Sequence, residues 1–125
     1  MIDHTLAQPP ETPAEVAAAI LDAIDAQPGA LDMWLWTSLA PCQSLAPDQL
    51  VGDITLCVAG WACRVSGWTL VCSDIGMDYA HKGGPRYNIA DVAANALGLS
   101  HEEAEDLFSQ SEDIARQQLA IIAGH

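Results

Sequence analysis

The chain has 125 residues, half of them hydrophobic, with seventeen acidic side chains against four basic ones and a formal charge of −13. That length fits one domain with a real core. The charge repels nucleic acid and anionic membrane, leaving basic partners, a solvated surface, or mimicry of a polyanion.

Residues 1–11 read as a flexible arm with neither a basic region nor an apolar run, so no signal peptide is expected. A single helical domain is expected over 12–125. No stretch approaches the roughly 20 apolar residues that span a bilayer, so no membrane partner is expected. A cytoplasmic setting with reduced thiols, in a bacterial or infected host cell, follows as the expectation.

Thr12-Pro-Ala-Glu15 is a helix start with a capping box and proline in the first turn. Val16, Ala17, Ile20, Leu21 and Ile24 form its apolar stripe, and Pro28-Gly29 ends it. Of Trp34 and Trp36, one is expected in the core and one partly exposed, as amphipathic rings lie at interfaces. Pro41 to Gly52 reads as a loop.

Thr55 to Gly67 is the centre of the chain. Only Arg64 and Ser66 interrupt a run of apolar and small residues, which predicts a buried helix over 55–66, capped by Asp53 or Thr55 and stopped by Gly67. Gly60 within it costs about 1 kcal/mol relative to alanine. That is understandable if another backbone packs against its bare Cα.

Trp68 to Cys72 is β-prone and predicts a strand, paired with Arg86-Tyr87-Asn88 across a loop over 73–88. Asn88 caps a helix running to about Leu97, with Gly98 as its left-handed C-terminal residue and Leu99 as the hydrophobic contact. Ser100 to Glu103 is a second capping box, with Ala104, Leu107 and Phe108 following at helical spacing. Ser109 to Glu112 repeats the signal. Ala115, Leu119 and Ile122 make the last stripe, supported by Ile114 and Ile121. The fold class expected is mainly α: a compact bundle of about five short helices around the buried central one, with a minor two-stranded β element.

Ile24-Asp25, Pro28, Met33 and Trp36, then Cys57-Val-Ala-Gly-Trp-Ala62, then Leu97-Gly-Leu99 with Leu107-Phe108 resemble a group of small bacterial and phage proteins of undefined activity. In these a Cys-Gly-Thr-x-x-Cys-x-Ala-Gly-Trp block is followed by a Leu-Gly-Leu helix pair. Here Gly52 and Asp53 stand where the group's first cysteine and glycine fall. The resemblance implies fold rather than activity.

Candidate chemistry is thin. Cys42, Cys57, Cys63 and Cys72 lack Cys-x-x-Cys spacing. Cys57 and Cys63 fall on different faces of an ideal helix, about 600° apart at 3.6 residues per turn, so neither a metal nor another cofactor is expected. Nor does any nucleophile elbow, phosphate loop or dinucleotide fingerprint point to an enzyme. His81-Lys82-Gly-Gly-Pro-Arg86 is the basic cluster, with His81, Lys82 and Arg86 able to meet an anion beside backbone amides. Residues 89–108 imitate a helix-turn-helix. Its second helix carries Glu102, Glu103, Glu105 and Asp106, where DNA binding needs lysine and arginine. Direct nucleic-acid binding is therefore not expected.

The function expected is a non-catalytic acidic accessory protein that binds another protein with a basic surface, in the manner of a phage or mobile-element product acting on a host. Trp34, Trp36, Glu102, Glu105 and Asp106 are the contact candidates. A homodimer is left open. The alternatives are a polyanion mimic that occupies a nucleic-acid-binding protein, and a cysteine-dependent enzyme or metal protein.

Overall fold

The computed structural model describes residues 12–33, 35–52 and 54–124. The expected arm at 1–11, Trp34, and Asp53 as a cap lie outside the described residues. The helices are α1 (Pro13–Ala26), α2 (Val58–Val65), α3 (Ile89–Ala96), α4 (His101–Phe108) and α5 (Glu112–Ile122). Between them lie strands β1 (Ser44–Leu45), β2 (Thr69–Cys72) and β3 (Asp78–His81), and a single 3₁₀ turn at Pro28–Ala30 follows α1.

Local signals set most helix ends. Thr12 Oγ1 accepts from the Glu15 N–H at 3.2 Å, and Glu15 Oε1 accepts from the Thr12 N–H at 3.1 Å. Ser100 and Glu103 repeat the arrangement at α4. Asn88 Oδ1 caps α3 by accepting from the Ala90 and Asp91 N–H groups. Helices α2 and α3 end alike. Gly67 and Gly98 take φ +88° and +67°, and the next residue, Trp68 or Leu99, donates back to the carbonyl of Cys63 or Ala94. This is the left-handed glycine stop, which an L-side chain resists.

The central helix is buried as expected: Val58, Ala59, Gly60, Trp61, Ala62 and Cys63 are all shut off from solvent. Its start differs. Cys57, not Asp53 or Thr55, is the N-cap, and its side chain makes no capping bond. The cause is tertiary. Residues 54–56 are drawn out as extended chain, with Leu56 bridging both Leu31 and Thr37. The Thr55 N–H goes to Ser38 Oγ at 2.7 Å. A Cβ on Gly60 would stand 2.6 Å from the Trp36 carbonyl oxygen. Glycine there admits the 31–37 segment against the helix, and the Cys57 N–H donates to that same oxygen at 3.3 Å.

The β structure is larger than expected. The fold is helix-rich but mixed, with a three-stranded antiparallel sheet ordered β1-β2-β3. Thr69 pairs with His81, Leu70 with Ala80, Val71 with Tyr79 and Cys72 with Asp78, while Ser44 and Leu45 pair with Val71 and Leu70. Leu45, Leu70 and Ala80 are buried and seal the core on that side. The expected loop over 73–88 is thus mostly a hairpin. Tyr87 does enter the sheet region, but it bridges Ala80 rather than β2. Glycines at 76 and 83, both at positive φ, serve the turn at either end of β3. Their density makes four residues of strand look like loop.

Two further corrections fall at the C-terminus. Ser111, not Ser109, is the N-cap of α5, and it makes no side-chain capping bond. Ser109 Oγ instead donates to the Glu105 carbonyl at 2.7 Å, closing α4. Glu112 begins α5 and meets Arg116 Nε at 3.5 Å, while Arg116 Nη1 reaches Asp25 of α1 at 3.1 Å. Ala115 and Leu119 are buried, but Ile114 and Ile121 face outward.

Candidate functional site

Trp36 is held in place from its backbone outward. Its carbonyl rests against Gly60, and Thr37 beside it is buried and donates to Asp78 Oδ1 at 3.2 Å. Trp36 is 42% exposed, and its indole meets Phe108 edge-on, with ring centroids 6.1 Å apart and planes at 83°. Phe108 is the last residue of α4. Gly60, in the middle of the chain, thereby sets where a tryptophan and a phenylalanine 72 positions apart come together.

The two rings mark a ridge beside two surface depressions, of which Trp36 lines one and Phe108 both. One, of about 630 Å³, lies between α3 and α4 and is lined by Trp36, Phe108, Asp91, His101 and Glu105 among others. The second, of about 560 Å³, shares Phe108 and Ser109 and adds Leu31, Met33, Asp32 and Glu112. Neither has a lysine or arginine in its wall. His101 Nε2 and Glu105 Oε1 stand 3.1 Å apart at the rim, one helical turn from each other.

Of the expected contact residues, the structure brings Trp36 and Glu105 together and separates Asp106 from them. Asp106 lies on the other flank of α4, beside Leu99, Leu107 and Ile121. Glu102 points away from the core into solvent. Glu103 is occupied by its capping box, and the Ser100 N–H that it accepts holds its carboxyl below the usual range. The helical spacing of Phe108 with Ala104 and Leu107 marks it for the core, whereas the structure leaves it half-buried against Trp36.

Within the basic cluster, His81 and Arg86 both stand by Tyr79, the His81 ring centroid 6.2 Å from that of Tyr79. Arg86 lies over the Tyr79 ring, 4.6 Å from its centroid, and Lys82 Nζ lies 5.0 Å from the Trp68 ring centroid. His81 Nδ1 accepts from the Gly83 N–H at 2.9 Å. Each cation is thus placed over a different aromatic face.

Three of the four thiols are buried and one, Cys42, is exposed. Burial raises Cys57 to about 11 and pushes Cys63 up further, with the neighbouring Cys57 adding to the effect. As the cap residue rather than a helical one, Cys57 does not follow the helical-wheel separation from Cys63. Burial also raises Cys72, with Asp78 beside it. A thiol held in its protonated form is a poor nucleophile. Among the described residues no three His, Cys, Asp or Glu side chains converge as a metal site. Among them, too, no helix is long and apolar enough to cross a membrane.

Comparison with protein-family models, with curated proteins and with solved structures gives no match for this chain.

Proposed function

We propose that the chain is a non-catalytic binding protein that receives a basic segment of another protein along the Trp36–Phe108 ridge. The carrying observation is the ridge itself. A half-exposed tryptophan lines one of two depressions that share its aromatic partner Phe108, and their walls carry Asp91, Glu105, Asp32 and Glu112 but no lysine or arginine. Tryptophan at the centre of a patch is a typical interface anchor. Surrounding carboxylates raise the encounter rate with a basic partner and fix its orientation. The overall charge of −13 acts in the same sense.

Such a partner carries a large apolar side chain that enters beside Trp36, with lysine or arginine on either side. In keeping with the resemblance to small bacterial and phage proteins, the reading places this chain in the cytoplasm of a bacterial cell, acting on a host protein.

The test is selection from a displayed random-peptide library on the immobilised full chain. Enriched peptides should share an apolar residue flanked by lysine or arginine. Their binding should fall at least about tenfold in Trp36→Ala, a modest value for an anchor residue. Raising the salt from low to moderate concentration should weaken it further. No enrichment, or equal binding to Trp36→Ala, would sink the proposal.

A further inference from the structure

A second aromatic corner lies at the meeting point of α1, α3 and the sheet. Trp68 and Tyr87 stand edge to face, with centroids 5.5 Å apart and planes at 84°. They form one side of an open cleft of about 510 Å³, whose apolar floor comes from Pro13, Val16 and Val92. That volume lies within the usual range for small-ligand sites, roughly 300–1,000 Å³.

Four polar side chains also line the cleft: Ser66, Lys82, Asp91 and Asn95. Asp91 and Asn95 are one turn apart on α3, so they share a face. Lys82 is held over Trp68, and its stem passes 3.9 Å from where a Cβ on Gly67 would stand. Among the described residues, Lys82 and Asp91 form no ion pair with each other or with any other side chain. Ser66 Oγ is shut off from water in the cleft wall and has no hydrogen-bond partner.

We propose that this cleft binds a small zwitterion of the α-amino-acid class with an apolar side chain. Its carboxylate goes to Lys82, its ammonium to Asp91, and its side chain into the corner of Trp68, Tyr87 and Val16. The pairing of charges decides the class. A simple anion would be repelled by Asp91 and by the net charge of the chain, and a simple cation would meet Lys82. A dipolar ligand satisfies both and leaves neither charge unmatched. Asn95, on the same face of α3 as Asp91, supplies a further donor and acceptor.

The experiment is calorimetric titration of the full chain with L-leucine and with L-phenylalanine. At least one should bind saturably. N-acetyl-leucine, which lacks the ammonium, and leucinamide, which lacks the carboxylate, should each bind about tenfold more weakly or worse, the loss expected for one charge-assisted hydrogen bond. Lys82→Met and Asp91→Asn should weaken binding similarly. Both positions are exposed, so the melting temperature should hold. Asp91 also lines the depression beside Trp36, so Lys82 and Trp36 separate the two sites: Trp36→Ala should leave amino-acid binding unchanged, and Lys82→Met should leave peptide binding at the ridge unchanged. The proposal is overturned if neither amino acid binds, if a derivative missing one charge binds as tightly, or if Lys82→Met has no effect.

Discussion

Trp36–Phe108 and Trp68–Tyr87 are two aromatic pairs of nearly the same shape, each edge-on with planes at 83° and 84°. Their surroundings differ. The first pair lines two depressions whose walls hold Asp32, Asp91, Glu105 and Glu112, with His101 beside Glu105 and no lysine or arginine. The second forms the side of a cleft, with one cation and one carboxylate that do not meet each other. Ring geometry is therefore not what separates a protein-binding ridge from a small-molecule cleft here. The distinction comes from the charges the backbone brings alongside: Lys82 stands in the wall of the cleft, and no cation of that kind stands in the walls beside Trp36.

The sharpest way to break the comparison is Gly60→Ala. The added Cβ would meet the Trp36 carbonyl, which belongs to the ridge, whereas nothing at the Trp68 cleft is touched. Overpacking of this kind costs about 1–3 kcal/mol, partly offset by roughly 1 kcal/mol of better helix propensity. Thermal denaturation should show a net loss of stability, and affinity for the selected basic peptides should fall while leucine binding persists. A variant that is as stable as wild type and keeps its peptide affinity would show that the glycine does not position Trp36.

A smaller effect tests the link between the two regions. Thr37, next to Trp36, donates to Asp78 on β3, the strand whose Ala80 pairs with Tyr87. Burial raises the Asp78 carboxyl above its ordinary value of 3.8. A raised acid favours the protonated native state. Its stability contribution is greatest below about pH 3.8 and is lost as pH rises through the folded value. Asp78→Asn keeps an oxygen for Thr37 to donate to and removes the ionisation. It should be at least as stable as wild type at pH 7, and the advantage should vanish in acid. An Asp78→Asn protein that is less stable at pH 7 than wild type would mean that the ionised carboxylate, rather than an oxygen acceptor, holds Thr37.

How much of this was legible in the sequence depended on the range of the interaction. The starts of α1, α3 and α4 and the glycine stops at Gly67 and Gly98 rest on residues within a few positions of each other, and all were readable. The α5 cap was misplaced because Ser109-x-x-Glu112 and Ser111 compete, and the choice is made by Ser109 turning back to close α4. Strand β3 was hidden among turn glycines, β1 is a two-residue strand inside the expected loop over 41–52 that exists only by pairing with β2, and the start of α2 was moved by a bridge to Leu31 and Thr37.

At the ridge, Trp36 and Glu105 were each singled out, but for unrelated reasons. Their meeting depends on Gly60 admitting one segment and on α4 delivering Phe108, neither of which leaves a local signature. Asp106 shares Glu105's charge but not its flank. At the cleft, Asp91 and Asn95 are a polar pair one turn apart on an alanine-rich helix, a signal that was available. Lys82 over Trp68 was not, because it requires the β2–β3 pairing.

The most direct measurement is one that watches both aromatic pairs at once. The chain has four tryptophans and hence four indole N–H resonances, and Trp36→Phe and Trp68→Phe would identify the two that matter. Titrated with a selected basic peptide, the Trp36 resonance should move while that of Trp68 stays. Titrated with the apolar amino acid that binds, the pattern should reverse. Both resonances moving with either ligand, or the Trp36 resonance staying fixed under a bound peptide, would contradict the assignment of two separate sites.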